Sequence, residues 1–213
     1  MPKTENDYRQ EIVELGLRLH QQGFVAATAG NLSVRLDEQR MLTTPTNSSK
    51  ARLRPQDLII VDRRGNKIAG ERVPSSELPM HLLIYQLRPE VGGIVHAHPP
   101  TATGFAAAGM ALDEALVAET VVTLGSVPLA RYGTPGSQQL NEALRDLIPG
   151  HHAILMANHG VVTYGEDLLQ AYYHMESVEH LARVSLVTVL LGKQSKLTHQ
   201  DVEKLMELRT RRA

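Results

Sequence analysis

The stretch Val91-Gly92-Gly93-Ile94-Val95-His96-Ala97-His98 decides how the chain is read. Val91 to Val95 is a short apolar run of the kind a buried strand shows. Side chains alternate along a strand, so His96 and His98 fall on one face, about 6–7 Å apart. Two imidazoles at that spacing can grip one metal ion. A second apolar run, Ala153 to Met156, opens into Asn158-His159-Gly160. It puts a third histidine at the equivalent place, where a buried strand meets a glycine turn. Three histidines with an open fourth position make a catalytic metal arrangement rather than a structural one.

The 213 residues suffice for one well-buried domain. Neither a linker, a low-complexity tract nor an internal repeat divides residues 1–213, which are read as one domain. Lys and Arg number 22 against 23 Asp and Glu, a net charge of −1. That balance argues against nucleic acid or an anionic membrane surface as partner. The basic run Arg209-Thr210-Arg211-Arg212 is short and reads as a solvated helix end. With no cysteine, only His, Asp and Glu are left as metal ligands, and the composition suits a cytoplasmic protein. The first twenty residues are charged and helix-periodic, unlike a signal peptide or anchor. The longest apolar stretch, Val184 to Leu191, is too short to span a bilayer.

Around the two histidine strands, helical spacing of Ile12, Leu15 and Leu19 predicts an opening amphipathic helix that stops at Gly23. Short strands are expected at Leu32 to Leu36, Met41 to Thr44 and Asp57 to Val61, with a hairpin turn at Arg64-Gly65-Asn66. Ser76 is read as the cap of a helix to about Leu87, and Thr101 as the cap of an Ala-rich helix to Ala108. Val121 to Leu129 looks β-like, broken by Gly125. Ser137 to Leu147 is helical, Ala153 to Asn158 and Val161 to Tyr164 are strands, and a long helix runs from Asp167 to Leu191, ended by Gly192. Thr198 with Asp201 opens a last helix. Strands in the middle with helices before, between and after them predict an α/β fold, a three-layer α/β/α sandwich.

Three turns carry small hydroxyl and amide side chains: Thr28-Ala29-Gly30-Asn31, Thr44-Pro45-Thr46-Asn47-Ser48-Ser49 and Pro74-Ser75-Ser76-Glu77. The last leads into a helix, where free N–H groups and two hydroxyls suit a phosphate or carboxylate. The same residues also make an ordinary cap with a first-turn carboxylate. Together the turns suggest a polar pocket for an oxygen-rich anion. Glu77 is the best acid/base candidate, since a carboxylate beside a metal stays ionised and can exchange between ligand and proton acceptor. Of the remaining histidines, His81 can stand behind the ligands. His151 and His152 sit in a Pro-Gly turn, and His20, His174, His180 and His199 fall on helices in packed or solvated roles. Lys3, Lys50, Lys67, Lys193, Lys196 and Lys204 all lie in polar or terminal stretches. An amine nucleophile needs an apolar or cationic environment, so a Schiff base is not expected.

Ala29-Gly30-Asn31-Leu32-Ser33, Thr44-Pro45-Thr46, Pro74-Ser75-Ser76-Glu77, Val95-His96-Ala97-His98 and Asn158-His159-Gly160 stand in the order and spacing of the class II aldolase/adducin family. The chain resembles its fuculose-phosphate aldolase branch most, from the first helix to about Leu191. The resemblance implies a mixed, mainly antiparallel central sheet and a zinc enzyme that cleaves a ketose 1-phosphate to dihydroxyacetone phosphate and an aldehyde, through an enediolate stabilised on the metal. It implies His96, His98 and His159 as zinc ligands, with Glu77 as fourth ligand and proton shuttle. It also implies that Gly30, Asn31, Thr46, Asn47, Ser75 and Ser76 hold the phosphate, and that the chain forms a homotetramer with active sites at subunit interfaces. Mn²⁺, Co²⁺ or Fe²⁺ would also suit such a donor set.

Two departures stand out. Fuculose-phosphate aldolases carry Thr-Gly where this chain has Thr46-Asn47. They also donate a tyrosine from the neighbouring subunit where this chain has Val117; Glu119 and Tyr132 are the nearest ionisable replacements. Glu119 lies about where the related methylthioribulose-phosphate dehydratases hold their catalytic glutamate, and otherwise reads as a surface carboxylate. The Thr44-to-Leu53 run also resembles the phosphorylated oxo-tetronate decarboxylases, which tend to have Lys in place of Ser76. Family epimerases carry Asp in place of Glu77, and the non-catalytic adducin head has lost metal-binding histidines that this chain keeps.

Overall fold

The computed structural model describes residues 3–210, so Arg211 and Arg212 of the basic C-terminal run, and the side chain of Arg209, lie outside the described residues. One sheet of eight strands runs through the middle: β1 Asn31–Arg35, β2 Arg40–Thr43, β3 Ile59–Asp62, β4 Lys67–Ala69, β5 Gly93–Ala97, β6 Leu129–Ala130, β7 Ala153–Met156 and β8 Gly160–Gly165. Their order across the sheet is β4-β3-β2-β1-β5-β8-β7-β6. Among the described residues only the β6–β7 pair is parallel. The helices are α1 Glu5–Gln21, α2 Leu78–Leu87, α3 Pro100–Ala107, α4 Ala118–Thr123, α5 Gln138–Arg145, α6 Leu168–Leu190 and α7 His199–Thr210. Among the described residues no helix is long and apolar enough to cross a membrane.

Strand alternation divides the core into two layers. Val95 and Ala97 of β5 face α1, α3 and α6, packing with Ile12, Leu15, Phe105, Met175 and Val178. Ile94 faces the other way, with Met41, Leu83, Ile84, Leu140 and Tyr164, under α2 and α5. Both faces of β5 are covered, which is why it reads as a continuous apolar run rather than an alternating one. Helices on both sides of a mixed, mainly antiparallel sheet give the expected three-layer sandwich.

Three local expectations fail. Val121 to Leu129 is not a strand; α4 occupies its first part, and only Leu129–Ala130 is extended. The β-branched run is accommodated because α4 packs against α6 and α7, while the Thr120 and Thr123 hydroxyls are satisfied by the carbonyls of Val117 and Glu119, at 2.8 and 3.0 Å. Ser76 does not cap α2: Glu77 occupies the cap position, and the Ser75 hydroxyl accepts the Glu77 N–H at 3.2 Å. Nor does Thr101 cap α3. The Glu179 carboxylate, reaching across from α6, accepts the N–H groups of Thr101 and Ala102 at 3.2 and 2.9 Å.

That distant cap is buried, 1% exposed, and pairs with Arg183 at 3.0 Å. It fastens the helix that follows the His96-Ala97-His98 segment. Replacing Glu179 by Ala leaves two N–H groups unsatisfied and Arg183 without its partner, and should cost about 1–3 kcal/mol. Thermal unfolding of Glu179→Ala should show a melting temperature several degrees lower; an unchanged value would mean that α3 needs no such anchor.

Candidate metal centre

The register of the three central strands assembles the centre. Asn31, the first residue of β1, pairs with His96 of β5, and Ala97 pairs with Val161 of β8. His98 lies one residue beyond β5, and its N–H donates to the Phe24 carbonyl at 2.8 Å. The β7–β8 turn returns His159 to the same end of the sheet, with Asn158 in the left-handed region at φ 55°. The ring centroids of His96, His98 and His159 are 4.8, 4.8 and 5.2 Å apart.

Two glycines make that approach feasible. A Cβ on Gly160 would collide with Cδ2 of His98, so the ring occupies the place a side chain would take. A Cβ on Gly30, whose φ is +74°, would lie 2.7 Å from the His96 carbonyl oxygen. The glycines beside Asn31 and His159 are therefore spatial requirements of the cluster.

His96 is fully buried, and its Nδ1 lies 2.8 Å from the Val161 carbonyl, which can only accept. Nδ1 therefore carries a proton, so Nε2 is the atom that faces the other ligands and would offer its lone pair to a bound metal. His98 Nε2 is 3.1 Å from it. Glu77 sits between: one carboxylate oxygen is 3.1 Å from His96 Nε2, the other 3.1 Å from His159 Nε2. The Asn31 amide donates to Glu77 Oε2 at 2.9 Å. Glu77 Oε1, Asn31 Oδ1 and His159 Nδ1 are buried without a hydrogen-bond partner. Three imidazoles and a carboxylate converging around unsatisfied atoms fit a divalent cation, and the three histidine ligand atoms lie within 4.8 Å of one another.

The local electrostatics favour ligand-ready protonation states. Burial, reinforced by the His96 and His159 rings, lowers His98 to about 3, so it is neutral at physiological pH. Burial works to raise the Glu77 carboxyl, but the His96 and His159 rings outweigh it and hold the group well below the ordinary carboxylate range. His81 stands behind the ligands, with Nδ1 2.7 Å from the Ser33 hydroxyl, which also touches Tyr85 at 2.9 Å. Burial lowers His81 to about 3 as well.

The three polar turns come together beside this cluster. Pro45 and Pro74 form an isolated bridge, and the Thr46 N–H donates to the Val73 carbonyl at 2.9 Å. Those two contacts join the turn holding Asn47 to the one holding Ser75 and Ser76. Thr28 and Gly30-Asn31 reach them through Lys50, whose Nζ donates to the carbonyls of Thr28 and Ser48 at 3.0 and 2.8 Å. Ser76 is exposed, with no side-chain hydrogen bond among the described residues. Lys50 overturns its reading as a polar-stretch residue, being 2% exposed. It is a protonated donor to two carbonyls rather than a free amine, so the expectation against a Schiff base keeps a different footing. Glu119 is exposed on α4, and its carboxylate has no described contact with the cluster; Tyr132 is 51% exposed.

The profile of the class II aldolase and adducin N-terminal domain matches residues 10–186. The chain belongs to this family. A 3-oxo-tetronate 4-phosphate decarboxylase from Haemophilus influenzae is 36% identical over 208 residues, 95% of this chain and 97% of that protein. A 5-deoxy-D-ribulose 1-phosphate aldolase from Bacillus thuringiensis is 32% identical over 199 residues, covering 92% of each. The structure of an L-fuculose 1-phosphate aldolase superposes with a TM-score of 0.89 at 32% identity, covering 97% of both chains. Against this family the Asn47 departure is mild in backbone terms. Its φ is 51°, the left-handed conformation that glycine adopts freely and asparagine tolerates best among the others. The turn keeps a glycine-like backbone and gains an amide.

The two depressed histidines fix the acid behaviour of the metal-free protein. Both rings stay neutral in the fold to about pH 3 but take protons from about pH 6.5 downward once unfolded. Their contribution is complete above pH 6.5 and drains as pH falls toward 3, with a slope approaching 1.4 kcal/mol per pH unit for each ring. Glu77 has the same sign below its unfolded value. Urea midpoints of chelator-treated protein should fall steadily from pH 7 to 4.5, and a flat profile would contradict these assignments.

Proposed function

We propose that the chain is a metal-dependent aldolase that splits a ketose 1-phosphate, of the fuculose or 5-deoxypentulose type, into dihydroxyacetone phosphate and an aldehyde. The observation that carries this reading is the Glu77 carboxylate set among three imidazoles, with the phosphate-suited turns tied to the same cluster. His96, His98, His159 and Glu77 would hold zinc, or manganese, cobalt or iron in its place, and the bound ion supplies Lewis acidity at the substrate carbonyl. Thr28, Gly30, Asn31, Thr46, Asn47, Ser75 and Ser76 bind and orient the phosphate through hydroxyls, amides and turn N–H groups.

In cleavage the C3–C4 bond breaks, the C4 hydroxyl loses a proton and C3 gains one. Glu77 moves the C3 proton: its carboxylate, steadied at one oxygen by Asn31, takes that proton from dihydroxyacetone phosphate in the condensation direction and, protonated from solvent, gives it to C3 in cleavage. Glu119 takes the C4 hydroxyl proton from a neighbouring subunit, in a cytoplasmic homotetramer whose active sites lie at subunit interfaces. Its exposure on the free surface of α4 is compatible with that role.

A second reading, decarboxylation of a phosphorylated 3-oxo sugar acid, is favoured by the Thr44-Pro45-Thr46-Asn47-Ser48-Ser49 run and by the 36% identity to the Haemophilus influenzae decarboxylase. Loss of carbon dioxide requires no base at a hydroxyl, so Glu119 would be idle. Ser76, where those enzymes tend to carry lysine, supports the aldolase. A panel of ketose 1-phosphates and a 3-oxo-tetronate 4-phosphate separates the two. We expect metal-dependent dihydroxyacetone phosphate from at least one ketose, and Glu77→Gln slower by a factor of about 100 or more. Carbon dioxide from the oxo acid, with no dihydroxyacetone phosphate from any ketose, would overturn the aldolase reading.

A further inference from the structure

Lys50 is buried without a counter-ion. Its stem lies over Gly16 of α1, where a Cβ would come 3.4 Å from Lys50 Cγ, and the residue is 2% exposed. Its ammonium donates to two backbone carbonyls, Thr28 O at 3.0 Å and Ser48 O at 2.8 Å. No ion pair involves it among the described residues, and no acceptor is described for its third N–H. Removing an ammonium from water is costly, and two carbonyl dipoles offset only part of that cost. Tying two carbonyls together needs only a neutral donor. A full positive charge kept at that place is explained when an anion arrives to complete it.

The location fits such an anion. Thr28 opens the turn that carries Gly30 and Asn31, and Ser48 closes the turn that carries Thr46 and Asn47. The charge is also within electrostatic reach of the metal cluster: the Glu77 carboxylate favours the ammonium, but burial outweighs it and lowers Lys50 to about 8, which leaves the side chain mostly protonated at neutral pH.

We propose that Lys50 is a positioning residue of the phosphate subsite, fastening the Thr28–Asn31 and Thr44–Ser49 turns and supplying the positive charge that makes the subsite select a phosphate dianion. This rests on reading those turns as the phosphate cradle. The probe is inorganic phosphate, titrated calorimetrically into the full-length metal-loaded protein and its Lys50→Met, Lys50→Gln, Lys50→Arg and Ser76→Ala variants.

Binding should follow charge. Affinity should fall about tenfold or more in Lys50→Met and Lys50→Gln and recover largely in Lys50→Arg. Lys50→Gln keeps donors for the carbonyls, so the comparison survives if the methionine variant does not fold. Equal affinity in charged and neutral variants, with Ser76→Ala still weakened, would leave the cradle standing and overturn the role of Lys50. Equal loss in Met, Gln and Arg variants would overturn it too, since shape rather than charge would then decide. No phosphate binding by the unaltered protein would overturn both this proposal and the cradle.

Discussion

The site depends on one constraint, the antiparallel pairing of β5 with β1 on one side and β8 on the other. That register sets Asn31 opposite His96 and Ala97 opposite Val161. A slip of one residue would turn His96 into the α1–α6 layer and Ala97 toward Glu77. The close approaches at Gly30 and Gly160 are consequences of the same pairing. Each glycine lies where the backbone or ring of the His96-to-His98 segment fills the space of a Cβ. The carboxylate comes from a different layer, at the start of α2, and the packing of Met41, Leu83, Ile84 and Ile94, with the Ser33 contacts to His81 and Tyr85, keeps that helix on the sheet. Ligand geometry is therefore a property of the core.

The assembly stores unfavourable terms. Two rings are held neutral by burial, a carboxylate is buried with one oxygen lacking a donor, and a lysine is buried without a carboxylate partner. None of these helps the fold by itself. Ligands would relieve three of them: a cation beside His98 and Glu77, and an anion at Lys50. Opposite unmet charges side by side match a substrate that brings a phosphate together with a carbonyl to a metal.

That His96, His98, His159 and Glu77 come together was legible in the sequence because the signals are local. Strand alternation puts His96 and His98 on one face, the glycine after His159 marks a turn, and Pro74-Ser75-Ser76-Glu77 marks a helix start. The parts that were not legible depend on residues far away in the chain. Lys50 sits in a polar run, and α1 packs over it, passing closest to its stem at Gly16. The cap of α3 comes from Glu179, 78 residues beyond Thr101. The β-branched Val121-Val122-Thr123 run is helical because packing against α6 and α7 overrides propensity.

The central claim is that His96, His98, His159 and Glu77 hold one catalytic metal ion. X-ray absorption spectroscopy of the zinc-loaded protein, with metal content measured on the same sample, tests it most directly. The account predicts one ion per chain, a shell of three imidazole nitrogens with oxygen completing it, and a changed oxygen contribution in Glu77→Ala. A protein that retains no ion after dialysis, or a bound ion whose shell lacks three imidazoles, would contradict it.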